Sequence, residues 1–281
     1  MVSLLRRAAP AMRAGICLRE SDARTIVQHI VTRVGEPETI ECRYRFHDQQ
    51  GRERSPWHHI PLFSNELDES LRHPHETGSN NIFHFVNEIP KGARAKLEIA
   101  GDESFNPIKQ DVKNGKPRFY HFDSLVNYGC LPQTWEDPDH VDEHTKYGGD
   151  NDPIDVVEIG SRVAAIGEVY AVKVLGVLGM IDDGETDWKV VAINVNDPLA
   201  PLVDDIGDLS KTPLADSVAN IHRWFRDYKI PDGKKPSEFA FGGKAMGRDF
   251  AVDVILQTHE SWKELVGRAP TTKLWTGTTS P

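Results

Sequence analysis

Asp150, Asp152 and Asp155 crowd into one short run of the chain, Gly148-Gly149-Asp150-Asn151-Asp152-Pro153-Ile154-Asp155, which leads straight into an apolar stretch. Like charges held this close raise one another's pKa, so the cluster is costly unless a cation neutralises it. Hard carboxylate oxygens select hard ions such as Mg2+ or Mn2+. A solvated acidic turn would carry the same residues, so the metal reading depends on what else the chain offers.

A second acidic cluster, Asp182-Asp183-Gly184-Glu185-Thr186-Asp187, lies between two stretches rich in Val, Ile and Leu, 172–180 and 188–195. These read as strands, with Asp183-Gly184 as the hairpin turn between them. Such a hairpin would bring Asp182 and Asp187 close together at its mouth. The period of two would put Asp187 and Lys189 on one face of the returning strand. That is a metal ligand with an ammonium beside it. Upstream, Lys96 and Glu98 share one face of a short strand whose other face is Leu97 and Ile99, again a charged pair on an apolar backing.

Several elements must hold these groups together. Strands are expected at 39–46, 57–63, 82–89, 95–99, 118–122, 156–159 and 163–177. After Pro213 the periodicity changes: Val218, Ile221, Trp224, Phe225 and Tyr228 fall at helical spacing, giving an amphipathic helix over 215–228. A second helix over 249–266 would bury Phe250, Val254, Trp262 and Leu265. Many short strands followed by two late helices predict one domain of the α+β class, mainly β, around a β-barrel. Segment 65–79, with His73 and His75, reads as an exposed loop.

Composition sets outer limits. With 38% hydrophobic and 27% charged residues in 281, the chain is globular rather than disordered. No apolar stretch is long enough to span a bilayer. A formal net charge of −10 argues against a general nucleic-acid surface. Cys17, Cys42 and Cys130 show no paired spacing and read as reduced thiols. The first nineteen residues hold Arg6, Arg7, Arg13 and Arg19 and no acid. This predicts an organelle transit peptide, mitochondrial in the first instance, with plastid or cytoplasm as alternatives.

Ordered blocks then make the chain resemble the soluble family I inorganic pyrophosphatases, eukaryotic type. The Asp150–Asp155 run looks like that family's D-x-D-P-x-D pattern. Val86-Asn87-Glu88-Ile89-Pro90, Ala95-Lys96-Leu97-Glu98-Ile99, Asn127-Tyr128-Gly129 and Pro132-Gln133-Thr134-Trp135-Glu136-Asp137 look like further family blocks, as do Asp182–Lys189 and Trp224–Gly233. The resemblance covers 38–266, leaving 1–37 as an N-terminal arm and 267–281 as a tail. It implies a five-stranded OB-like β-barrel with flanking strands and two C-terminal α-helices, hydrolysing pyrophosphate with several Mg2+ ions, or Mn2+ or Zn2+ as substitutes.

By the same resemblance, Asp150, Asp155 and Asp187 would hold the tightest ion, with Asp155 reaching a second. Asp152, itself at the metals, would be the general base. Asp182 and Asp187 would take ions arriving with substrate, Glu98 would act on metal-bound water, and Glu88 is a further acidic position. Lys96, Arg118, Tyr128, Lys189, Tyr228 and Lys229 would bind phosphate. The resemblance also implies a homodimer, but Lys91-Gly92 stands where family members carry an Arg-Trp pair at that contact, so assembly stays open. A non-catalytic or dual-role subunit of a larger assembly is a second reading. A calcium loop is excluded because Asp155 and Ser161 occupy the positions where an EF-hand needs Gly and Glu. There is no P-loop.

Overall fold

The computed structural model describes residues 29–64, 82–267 and 273–277. The Arg-rich segment 1–19 and the loop 65–79 lie outside the described residues. In chain order the first strands are Ile30–Val34 (β1), Arg43–His47 (β2), Glu53–Arg54 (β3), Ile82–Ile89 (β4), Leu97–Ile99 (β5), Ile108–Gln110 (β6), Val112–Lys113 (β7) and Lys116–Pro117 (β8). Asn127–Cys130 (β9), Asp155–Glu158 (β10), Val169–Asp182 (β11), Glu185–Asn194 (β12), Glu238–Phe239 (β13) and Met246–Gly247 (β14) follow, with helices Ser217–Asp227 (α1) and Arg248–Gly267 (α2).

Five strands pair in a closed circuit. β12 runs parallel to β10, and the remaining neighbours, β10–β9, β9–β4, β4–β11 and β11–β12, are antiparallel. This is the five-stranded β core that the family resemblance implied. Because side chains alternate across a strand, each wall feeds two cores. Val157, Leu175, Leu178, Val191 and Ile193 join one cluster with Ile221 and Phe225 of α1. Their neighbours Val156, Val174, Val177, Val190 and Ala192 join a second, packed against Ala251, Val254 and Ile255 of α2. Burial on both faces explains why these strands read as near-continuous apolar runs. A second sheet, in the order β1-β2-β6-β5, flanks the barrel.

Both helices lie where expected. Folded structure extends beyond 38–266 at both ends. β1 pairs along its whole length with β2, from Ile30↔His47 to Val34↔Arg43, so the folded body begins inside the supposed arm. Four of its five residues are exposed, and Val31 packs against the core. At the other end, Trp275 N–H donates to Gly101 O (2.8 Å) and its ring packs on Phe105 (4.9 Å), so part of the tail docks as well.

The segment 57–63 is not a strand. Ser55 Oγ accepts from the backbone N–H groups of Trp57 and His58, at 3.1 and 2.9 Å, and folds the chain into a turn. Local side-chain bonds of this kind compete with sheet pairing. The 118–122 segment likewise contributes a single bridge, Ala95↔Phe119. Strand β11 starts at Val169, six residues later than expected from 163–177.

Candidate active site

The β11–β12 hairpin turns at Asp183 and Gly184, whose φ angles are +52° and +93°. Two left-handed residues in succession make the tight turn that Asp-Gly favours. Asp182 then pairs with Glu185, while Asp187 stands further along the ladder opposite Met180. The two aspartates are therefore diagonal neighbours on one face rather than direct partners, and both line one cavity of about 180 Å3. Asp187 and Lys189 share a face as expected, and Lys189 Nζ donates to Asp187 Oδ1.

Other elements deliver their groups to the same space. The parallel β10–β12 register sets Asp155 directly across from Lys189, 2.5 Å between Oδ2 and Nζ. Glu88 is the extra residue of a bulge in β4, between Asn87↔Gly129 and Ile89↔Tyr128, and bulges re-aim a side chain in this way. Its carboxylate accepts from Ile99 N–H at 2.9 Å. The loop bearing Asp150 and Asp152 is clamped: Thr186 N–H donates to Gly148 O, Gly149 N–H to Asp137 O and Glu136 N–H to Asp152 O. Gly149 is pressed so tightly on this support that a Cβ there would lie 2.3 Å from the Glu136 carbonyl.

Eight carboxylates and three cations line the cavity. The cations rest on carboxylates. Lys96 lies 2.5 Å from Glu98 and 3.0 Å from Asp111, and Arg118 lies 3.0 Å from Asp111. Tyr128 Oη donates to Asp155 at 2.5 Å, and Tyr228 Oη donates to Asp182 at 2.8 Å. Lys229 holds the same Asp182 at 2.6 Å.

That leaves carboxylates without a cation of their own. Glu136 Oε1 accepts from Trp188 N–H at 3.0 Å, but Oε2 is buried with no partner among the described residues. Carboxylate oxygens of Glu136, Asp150 and Asp187 lie within 4.8 Å of one another. Burial, then Glu136 and Asp187, pushes Asp150 well above the ordinary carboxylate range. Burial and Asp187 do the same to Glu136, and burial and Asp155 to Glu88. Asp152 is raised to about 7 by burial and Glu98; burial raises Asp187 to about 7 even though Lys189 pulls it down. For Lys189, burial opposes the charge but Asp155 and Asp187 outweigh it, holding the ammonium well above its usual pKa. An all-oxygen donor set with a buried, unpaired carboxylate oxygen fits a hard divalent ion.

Of the residues singled out in the sequence, Asp150, Asp152, Asp155, Asp182, Asp187, Glu88, Glu98, Lys96, Arg118, Tyr128, Lys189 and Tyr228 all line this cavity. Lys229 reaches it through Asp182. Glu136, Asp111 and Tyr120 were missed. Glu136 sat within a block of family resemblance but looked no different from its neighbour Asp137. No spacing rule pointed to Asp111 or Tyr120.

A family profile described as inorganic pyrophosphatase matches residues 85–263. An inorganic pyrophosphatase from Mus musculus is 48% identical over 235 residues, spanning 82% of this chain and 76% of its own length. Soluble inorganic pyrophosphatase 6, chloroplastic, from Arabidopsis thaliana is 46% identical over 236 residues, 84% of this chain and 74% of its own. The solved structure of an N-terminally truncated Trypanosoma cruzi vacuolar soluble pyrophosphatase in complex with PPi matches with a TM-score of 0.79 at 44% identity, covering 93% of this chain and 100% of the other.

Two outcomes are expected. Gly149→Ala should lift Asp150 off its support and weaken Mg2+ binding about tenfold or more, as loss of a supporting contact does in metal sites; isothermal calorimetry would read it. The second concerns pH. A carboxyl whose folded pKa is raised costs stability as pH climbs from its unfolded value to its folded one, here about 7 for Asp152 and Asp187. A divalent ion bound there must displace those protons, so stabilisation by added Mg2+ should be larger at about pH 8 than at about pH 5. Melting curves with Mg2+ and with chelator check this; a Tm increment equal at both pH values would contradict it.

Proposed function

The chain belongs to the inorganic pyrophosphatase family, and on that premise we propose that it hydrolyses pyrophosphate to two phosphates in a multi-metal carboxylate site. The observation that carries this reading is the convergence of eight carboxylates and three cations on one cavity. Asp150, Asp152, Asp155, Asp182, Asp187 and Glu98, joined by Glu136, are the residues that would hold several Mg2+ ions. When bound, such ions neutralise these carboxylates and bring the pKa of a bound water toward neutrality, with Mn2+ or Zn2+ as substitutes.

Asp152 is the group that takes the proton of the attacking water. A pKa of about 7 lets it accept and return a proton near neutral pH. The water oxygen bonds to one phosphorus, the bridging P–O bond breaks, and the proton ends on product phosphate. Glu98, 2.5 Å from Lys96, would orient that water, and Glu88, held by the Ile99 N–H, is a further acidic group of the cavity lining. Arg118 can fork two phosphate oxygens; Lys96, Lys189 and Lys229 supply point charges, and Tyr128 and Tyr228 neutral O–H donors. Diphosphate oxygens then take over from Asp111, Asp155 and Asp182 as partners of these donors, so the cations are oriented before substrate enters.

We also propose delivery to an organelle, the mitochondrion first. The acid-free, Arg-rich segment 1–19 supports an organelle address, and the chloroplast relative makes plastid the competing one.

Phosphate release from pyrophosphate should require Mg2+ and disappear with chelator, with ATP and polyphosphate turned over far more slowly; an inert protein would sink the reading. Asp152→Asn should lower kcat about 100-fold or more, and Arg118→Ala should both lower kcat and raise KM. Mass spectrometry of the mature N-terminus in the host cell should find it downstream of Arg19, and an intact Met1 would overturn the organelle address.

A further inference from the structure

Behind the two cations Lys96 and Arg118, three backbone segments close a ring. Lys96 N–H donates to Arg118 O (3.0 Å), Asp111 N–H to Lys96 O (2.9 Å) and Arg118 N–H to Asp111 O (2.8 Å). All three carbonyl oxygens also lie around one nitrogen. Gln110 Nε2 is 2.9 Å from Lys96 O, 3.2 Å from Asp111 O and 2.7 Å from Arg118 O. Gln110 is 1% exposed at the end of β6, opposite Leu97 of β5, and is not part of the cavity wall. Its Oε1 has no partner among the described residues, so the donor end of the amide is the part the fold uses.

Converging carbonyl dipoles repel one another unless a donor sits among them, and an amide NH2 is a neutral group with two donors for that purpose. Asp111 completes the arrangement from the same ring, its carboxylate 3.0 Å from both Lys96 Nζ and Arg118 Nη1. We propose that Gln110 is a positioning residue for the diphosphate: its side-chain amide fixes the spacing of Lys96 and Arg118 before substrate arrives. The inference rests on the pyrophosphatase reading above. Its geometry also predicts a selective effect. Asp150 and Glu136 hang on the 136–152 loops, and Asp187 on β12, with no bond to this ring among the described residues.

Gln110→Met keeps the length of the side chain and removes the donor. Steady-state hydrolysis of pyrophosphate, calorimetric binding of imidodiphosphate, and calorimetric binding of Mg2+ alone would be measured on wild type and variant. KM and the imidodiphosphate Kd should each rise about tenfold or more, with kcat falling less, as expected for a lost buried donor that preorganises binding. Mg2+ affinity at the Glu136, Asp150 and Asp187 group should stay within about twofold, since these three, unlike Glu98 with its Lys96 pair, share no partner with the ring among the described residues. Unchanged KM and imidodiphosphate Kd overturn the inference, and so does an equal loss of Mg2+ affinity, which would mark general disruption. If Gln110→Met does not fold, Gln110→Asn retains the amide one methylene short, and the same split is read from it. A wild type inert on pyrophosphate would sink the pyrophosphatase reading; an active wild type with a kinetically unaltered variant sinks only the role of Gln110.

Discussion

Mutual repulsion among eight carboxylates around one small cavity is the constraint that the rest of the structure answers. No single segment could hold them, because adjacent acids simply swing apart into water. Here they are attached to β4, β5, β10, β11, β12 and the loop before β10, and those elements are locked by a closed strand circuit with a core on each side. Apolar burial thus supplies the restoring force against which the charges are held. The parallel β10–β12 pairing is central, since it sets Asp155 opposite Lys189 within the site.

The ammonium and guanidinium groups meet part of that repulsion. Buried ion pairs of this kind are poor sources of stability, because desolvation offsets most of the attraction. Their value here lies in exchange. Each cation is already oriented by a carboxylate, and each can change partner when a polyanion enters without first being desolvated or reoriented. For the groups that remain without a cation, Glu136 and Asp150 foremost, burial and the neighbouring carboxylates favour the protonated form. A divalent ion is the physical means of ionising them together.

Legibility in the sequence followed the range of the interaction. The β11–β12 hairpin was readable because an Asp-Gly turn and two apolar runs are local signals. Asp187 and Lys189 followed from strand period alone. The helices were readable from aromatic spacing such as Trp224, Phe225 and Tyr228. Glu88 was placed only by resemblance, since its inward aim comes from a bulge that depends on the partner strand β9. Glu136 was invisible because its importance arises from a contact across the loop to Asp150 and Asp187. Strand β1 was missed for a different reason: Ile30-Val31-Thr32-Arg33-Val34 is rich in β-branched residues, but it fell within the stretch read as an N-terminal arm. The expectation at 57–63 failed because Ser55 captures the backbone that apolar residues would otherwise have sent into a sheet.

The most direct test of this account is anomalous diffraction from crystals soaked in Mn2+. Peaks against Glu136, Asp150 and Asp187, with further ions between Asp152, Asp155 and Asp182, are the predicted result. Manganese absent from this cavity, or bound only at surface acids elsewhere, would contradict the claim that divalent cations hold the carboxylates together.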